Sequence, residues 1–254
     1  MRKLVLPGTG LEVSRFIFGT GSLHHLGRDA DAERLLDAVA DQGFSHFDTA
    51  PYYGLGLGEA LLGRLLRRRP DCTVTTKVGL YPRLGGGTRA TMLAGKAAGR
   101  LLPPLSKPRA DWSLARAKAS LDRSLKRLGR DRIDLLLLHE PDAALLDSDE
   151  WRRWLEDEPR VRHFGLAGEP ERLLPFARRG DPLARLLQTR DSLARREAGA
   201  FEAFPQITYG YVSGAGDSDA RAALMGALQR QRGGAVIVST RRADRLPLYA
   251  ELAT

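Results

Sequence analysis

Short runs of apolar and β-branched residues alternate along this chain with longer segments whose apolar positions recur every three or four residues. The first pattern predicts strands, the second amphipathic helices. Strands are expected at residues 15–18, 44–48, 73–77, 133–138, 161–166, 184–188, 206–209 and 235–238. Helices are expected between and after them, at 30–42, 58–68, 113–128, 148–156, 169–178, 194–203, 217–230 and 242–252. Eight strands in strict alternation with eight helices predict an α/β fold, a (β/α)8 (TIM) barrel. Gly8 and Gly10 at the centre of residues 4–13 predict a short β-hairpin ahead of the first barrel strand. Residues 81–110, rich in Gly, Pro and Arg, read as a long loop of the kind that walls a binding pocket. No internal repeat and no linker divides the chain, so residues 1–254 are expected to form a single barrel domain.

Composition narrows the classes. A length of 254 residues with 43% apolar content suits one α/β barrel with a full core. No run approaches the roughly 20 apolar residues that span a bilayer, and residues 1–10 hold no continuous apolar stretch. A cytoplasmic protein without a signal peptide is therefore expected. Cys72 is the sole cysteine, which excludes an internal disulfide and a thiolate zinc cluster. The formal charge of +9 would suit nucleic acid, a membrane surface or a phosphorylated small molecule. Much of the excess sits on predicted helices (Arg67, Arg68, Arg69; Arg123, Lys126, Arg127, Arg130) without interleaved aromatics, which reads as solvated helix faces. The expected partner is a small molecule rather than nucleic acid or membrane, with the chain a monomer or weak homo-oligomer.

The candidate chemistry lies where strands end. Three consecutive predicted strands run into an ionisable residue, Asp48, Lys77 and His139. Neighbouring strands lie about 4.8 Å apart, so these ends converge on one rim, the C-terminal face where barrels place reactive groups. Tyr53, five residues after Asp48, reaches the same place. A phenol is a weak acid, and a nearby lysine cation would lower its pKa. Asp48 would pair with Lys77, and His139 would orient a substrate oxygen. Such a set suits proton delivery to an oxygen gaining negative charge, as in hydride addition to a carbonyl. None of the four supplies a hydride, so a cofactor must. Each also has a plain structural alternative: an ion pair at the rim, a turn aromatic, a strand cap.

Phe47-Asp48-Thr49-Ala50-Pro51-Tyr52-Tyr53-Gly54 with Gly58-Glu59 and Leu62-Gly63, Thr76-Lys77-Val78-Gly79, and the segment from Ser120-Leu121 through Asp131-Arg132-Ile133-Asp134-Leu135 to His139 together resemble the aldo-keto reductase family. The resemblance spans nearly the whole chain. It implies a (β/α)8 oxidoreductase that moves a hydride between NADP(H), with NAD(H) as the alternative, and an aldehyde, ketone or aldose. It casts Tyr53 as general acid/base, Lys77 and Asp48 as its tuning pair and His139 as substrate orienter. For the cofactor it implies Gly19, Thr20 and Gly21 in the opening loop, Asp48, Gln188 on the nicotinamide carboxamide and Tyr209 stacked on its ring. Ser239, Thr240, Arg241 and Arg245 would follow the last strand as the phosphate-binding stretch. Gly165-Leu166-Ala167-Gly168 stands where many members carry Gly-Val-Ser-Asn, and resembles the aldose and galactose dehydrogenase branch. The region between Gln188 and Gln206 is shorter than usual. Because the chain stops at Thr254, without the usual pocket-walling tail, an open and weakly discriminating pocket is expected. The alternative in the same family is a nucleotide-binding regulatory barrel with little turnover, like the potassium-channel beta subunits.

Overall fold

The computed structural model describes residues 1–84, 86–102, 104, 107–212 and 220–253. Among them, eight parallel strands close into one barrel: β3 (Phe16–Gly19), β4 (His46–Asp48), β5 (Thr73–Val78), β8 (Ile133–His139), β9 (Val161–Gly168), β10 (Leu187–Arg190), β11 (Ile207–Tyr209) and β12 (Ala235–Val238), with β12 returning to pair with β3. The expected hairpin forms from β1 (Lys3–Val5) and β2 (Glu12–Ser14), paired antiparallel with Leu4 opposite Val13. Gly8 and Gly10 take the left-handed φ of +78° and +66° that its turn needs.

The period-two pattern divides the apolar residues into two bodies. Inward-facing Ile17, Leu135, Leu137, Ile207 and Ala235 fill the barrel, and Leu6, Leu11 and Val13 of the hairpin join that cluster. Outward-facing residues such as Phe18, Val74, Leu136 and Leu138 pack against the helices in a larger one. Those helices are α1 (Asp29–Asp41), α2 (Leu57–Arg68), α4 (Leu114–Leu128), α5 (Ser148–Asp157), α6 (Pro170–Arg178), α7 (Ala220–Arg230) and α8 (Leu246–Leu252). The start of the expected 217–230 helix, residues 217–219, lies outside the described residues.

Three expectations are corrected. Residues 81–110 contain α3 (Arg89–Leu101), capped by Thr88, whose hydroxyl accepts the Thr91 amide while the Thr91 hydroxyl accepts the Thr88 amide. Two short strands, β6 (Leu80–Tyr81) and β7 (Arg109–Ala110), tie the ends of this stretch together. The expected 194–203 helix is only a single tight turn at Glu197–Ala200, entered through Arg196 at φ +54°. The sixth strand begins at Leu187 rather than residue 184, because Pro182–Arg185 form a 3-10 turn that Asp181 caps through the Leu183 amide.

His46 on β4 is wholly buried, its ring nitrogens 2.7 Å from the hydroxyls of Thr73 and Thr75. Burial, with Lys77 nearby, lowers its pKa to about 3. The unfolded chain therefore binds a proton here that the folded chain does not, so stability falls as pH drops from about 6.5 toward 3. His46→Asn is expected to make the decline of Tm over that window shallower. An unchanged slope would mean that His46 is not the group responsible.

Candidate active site

Strand register sets the site. Gly19 lies opposite Asp48, Lys77 opposite Leu137, and Ala167 opposite both His139 and Gln188. These pairs are successive rungs around the C-terminal rim. Asp48, Lys77, His139 and Gln188 accordingly line one cavity of about 260 Å³, with Tyr53 from the turn after β4 and Tyr209 from the end of β11. The four residues expected to carry the chemistry are brought together.

The hydrogen bonding is directional. Lys77 Nζ donates to Asp48 Oδ1 and Oδ2, 2.7 Å each, and to the Thr49 carbonyl at 2.9 Å. Its remaining contact is the Tyr53 hydroxyl at 3.5 Å. An ammonium has no lone pair, so the tyrosine oxygen can only accept from it, and the phenolic proton stays available to the cavity. Lys77 and Asp48 side chains are 2% and 5% exposed, which makes them a buried pair. Gln188 Nε2 donates to Asp48 Oδ2 at 3.1 Å, leaving Gln188 Oε1 buried with no partner. The His139 ring stands edge-on to Tyr53, centroids 6.2 Å apart, and His139 Nδ1 is likewise buried without a partner.

Electrostatics sharpen the roles. Burial first, then the Asp48 and Glu140 carboxylates, raise Tyr53 well above the ordinary phenol value of 10. The lowering expected from Lys77 is outweighed: burial dominates, and the ammonium spends its short contacts on Asp48 and Thr49. Tyr53 is held as the protonated acid. Burial lowers the pKa of Lys77, and the two Asp48 contacts oppose that shift. His139 is lowered to about 3, again by burial first and Lys77 second, and is a neutral imidazole near pH 7.

A scan of family models matches the Aldo/keto reductase family over residues 15–174. The match covers more than half of the chain and contains the elements that carry Asp48, Tyr53, Lys77 and His139. The chain belongs to the aldo/keto reductase family. Among curated relatives, D-threo-aldose 1-dehydrogenase from a Pseudomonas species is 36% identical over 145 residues, 54% of this chain and 43% of that protein. Pyridoxal 4-dehydrogenase from Microbacterium luteolum is 35% identical over 157 residues, again 54% of this chain and 43% of that protein. The chain thus spans under half the length of these curated relatives. An aldo-keto reductase from Bacillus halodurans shares the fold, with a TM-score of 0.76 at 22% identity, covering 99% of this chain and 90% of that one.

Other expected residues of this aldo/keto reductase fall into two groups. Gly19, Gly21, Gln188, Tyr209 and Ser239 line the cavity beside Asp48. Thr20 does not: it is wholly buried, and its amide and hydroxyl both donate to the Asp48 carbonyl, at 2.9 and 3.0 Å. Its task is to fasten the ends of β3 and β4 together. Thr240, Arg241 and Arg245 lie outside the cavity lining, along the exit from β12. The Thr240 hydroxyl accepts from the Arg242 amide at 3.0 Å, and Asp244 is held by Arg242 at 2.6 Å. The last helix starts at Leu246 after a 3-10 turn at Ala243–Arg245, four residues later than expected. Among the described residues of 81–110, none lines the cavity. Trp112 packs over Gly79, where a Cβ would come within 2.2 Å of its ring, and edge-on to Trp151.

Glu140 escaped the sequence reading. It follows His139 at a strained φ of +54°, and its carboxylate accepts the Glu169 amide. A Cβ on Gly168 would meet its Oε2 at 2.7 Å, so the bare backbone there is what makes room for it. Glu140 lies just beyond the catalytic-strand motif, and an acidic residue before a proline carries no pattern that marks it.

Proposed function

We propose that the protein is a nicotinamide-dependent oxidoreductase that transfers a hydride between NADP(H) and the carbonyl or alcohol carbon of an aldehyde or aldose. The observation that carries this reading is the Tyr53 hydroxyl, kept protonated in the cavity while Lys77 occupies its oxygen from behind. The residues present also fit the cofactor. The buried, unpartnered Gln188 Oε1 can accept from a carboxamide amino group, Tyr209 offers a ring, and Gly19 and Gly21 line the cavity. When bound, the dihydronicotinamide supplies the hydride. Tyr53 then gives its proton to the oxygen that gains charge, and neutral His139 orients that oxygen by a hydrogen bond. Lys77 balances the charge left on the phenolate, and Asp48 keeps the ammonium in place. An aldehyde or aldose is favoured because the relatives' names specify an aldose and pyridoxal.

The test is direct. NADPH and NADH are titrated against the protein by nicotinamide fluorescence, and NADPH consumption is followed with a panel of aldehydes and aldoses. Saturable binding and consumption are expected; a protein that binds neither nucleotide is not this enzyme. Because His139 stays neutral down to about 3, no loss of reductive rate is expected near pH 6.5. A protonation step at that ordinary histidine value would contradict its role as a neutral donor.

The phosphate that distinguishes NADPH from NADH is assigned to Arg241 and Arg245. A charge-assisted hydrogen bond to phosphate contributes roughly 1.5–3 kcal/mol, or about tenfold to a hundredfold in affinity. Arg245→Ala is expected to weaken NADPH binding by that factor and NADH binding little. Equal loss for both cofactors, or tighter NADH than NADPH binding in the unaltered protein, would defeat the assignment.

A further inference from the structure

A second hollow, of about 580 Å³, shares no lining residue with the Tyr53 cavity. It is bordered by Leu55 and Gly56 of the turn that carries Tyr53, by Tyr81, Pro82, Arg83, Gly86 and Gly87, and by one face of α4. That face presents Arg116, Ser120, Arg123 and Arg127, at helical spacings of four, three and four residues, with Lys126 beside them. The apolar face of α4, with Ala117, Leu121, Leu125 and Leu128, is already packed in the core. The opposite, polar face borders the hollow. It is cationic.

The cationic stripe of α2 is paired. Arg64, Arg68 and Arg69 at the end of α2 each meet carboxylates of α1, among them Glu33, Asp37 and Asp41. Among the described residues of the hollow, Arg127 is the one cation matched, by the buried Glu59 at 2.5 Å, and the other Glu59 oxygen is occupied by the Thr76 hydroxyl at 2.6 Å. Among the described residues no carboxylate lies within 4.0 Å of the cations of Arg83, Arg116, Arg123 or Lys126. The guanidinium of Arg116 is held over the Tyr81 ring, 4.9 Å from its centroid. Partial loss of solvent, then repulsion from Arg116 and Arg127, pulls the pKa of Arg123 down although the side chain is mostly exposed. Two arginine forks are thus anchored with a third between them, a crowd of like charge that an anion would relieve.

We propose that this cleft binds a small phosphorylated ligand carrying two or more negative charges. Guanidinium forks match phosphate oxygens in pairs, which a diphosphate can use twice. The hollow falls within the roughly 300–1,000 Å³ of small-ligand pockets. Nucleic acid is disfavoured, because the aromatic face in the lining, Tyr81, is covered by Arg116 and offers no platform for a base.

Titration calorimetry with inorganic pyrophosphate in low-salt buffer tests this, using the full chain. Saturable binding is expected, weakened about tenfold or more in Arg123→Gln and again in Arg116→Gln. Both side chains are exposed, so the variants should melt like the parent. Arg132→Gln, an exposed charge away from the cleft, should bind as the parent does. No binding by the parent overturns the proposal. So does an equal loss in Arg132→Gln, which would mean that net charge alone is read, or a loss in Arg241→Gln with Arg123→Gln unaffected. Tighter binding of a single-stranded oligonucleotide than of pyrophosphate, lost in Arg123→Gln, would replace the small ligand by nucleic acid.

Discussion

Tyr53→Phe is expected to lower turnover by about a hundredfold to ten-thousandfold, the range a positioned general acid contributes. Cofactor affinity should be unchanged. The substitution deletes one oxygen whose protein contact is a long 3.5 Å approach from Lys77, so the fold loses little. What is lost is the proton donor itself. Among the described hydroxyls of the cavity lining, that of Tyr53 is the one Lys77 approaches, and Tyr209, at the end of β11, is itself pushed far up by burial. The measurement is turnover of the best substrate from the panel, beside an NADPH titration of the same variant. Wild-type turnover in Tyr53→Phe would place proton delivery elsewhere.

Lys77→Met should cost both turnover and stability. Removing one partner of a buried ion pair leaves the other charge uncompensated, at about 3–5 kcal/mol. Here the stranded group would be Asp48, still accepting only from Gln188 at 3.1 Å. The double variant Lys77→Met with Asp48→Asn removes both charges and is expected to recover most of the lost stability and none of the turnover. That contrast separates a structural pair from one that serves Tyr53. Recovery of turnover together with stability would show that the lysine acts only by holding the rim in shape. Denaturant midpoints and turnover on the four proteins of the cycle supply the comparison.

The barrel and the centre of the site were legible because both rest on local patterns. Apolar runs such as Leu135–Leu138 declare a strand buried on both faces, and the ionisable residue that ends such a run is forced to the rim. Asp48, Lys77 and His139 were placed by that argument, and the register confirms their convergence. What failed depended on contacts distant in sequence. Helix α3 is rich in small residues, and its buried positions Met92, Gly95 and Gly99 make a weak apolar stripe. Thr20 looked like an open loop hydroxyl and is instead spent on a strand 28 residues away. The raised pKa of Tyr53 depends first on burial, which the motif does not show, and then on Asp48, which is in the motif, and Glu140, which is not.

The central claim is that a hydride passes to substrate in the cavity that holds Tyr53. The most direct measurement is transfer of deuterium from the labelled C4 position of NADPH, read by mass spectrometry of the alcohol formed from an aldehyde or aldose. The account predicts that the deuteron appears on the former carbonyl carbon with the wild-type protein and that Tyr53→Phe, loaded with the same cofactor, yields almost no labelled product. Product without the label, or labelled product formed equally well by Tyr53→Phe, would contradict it.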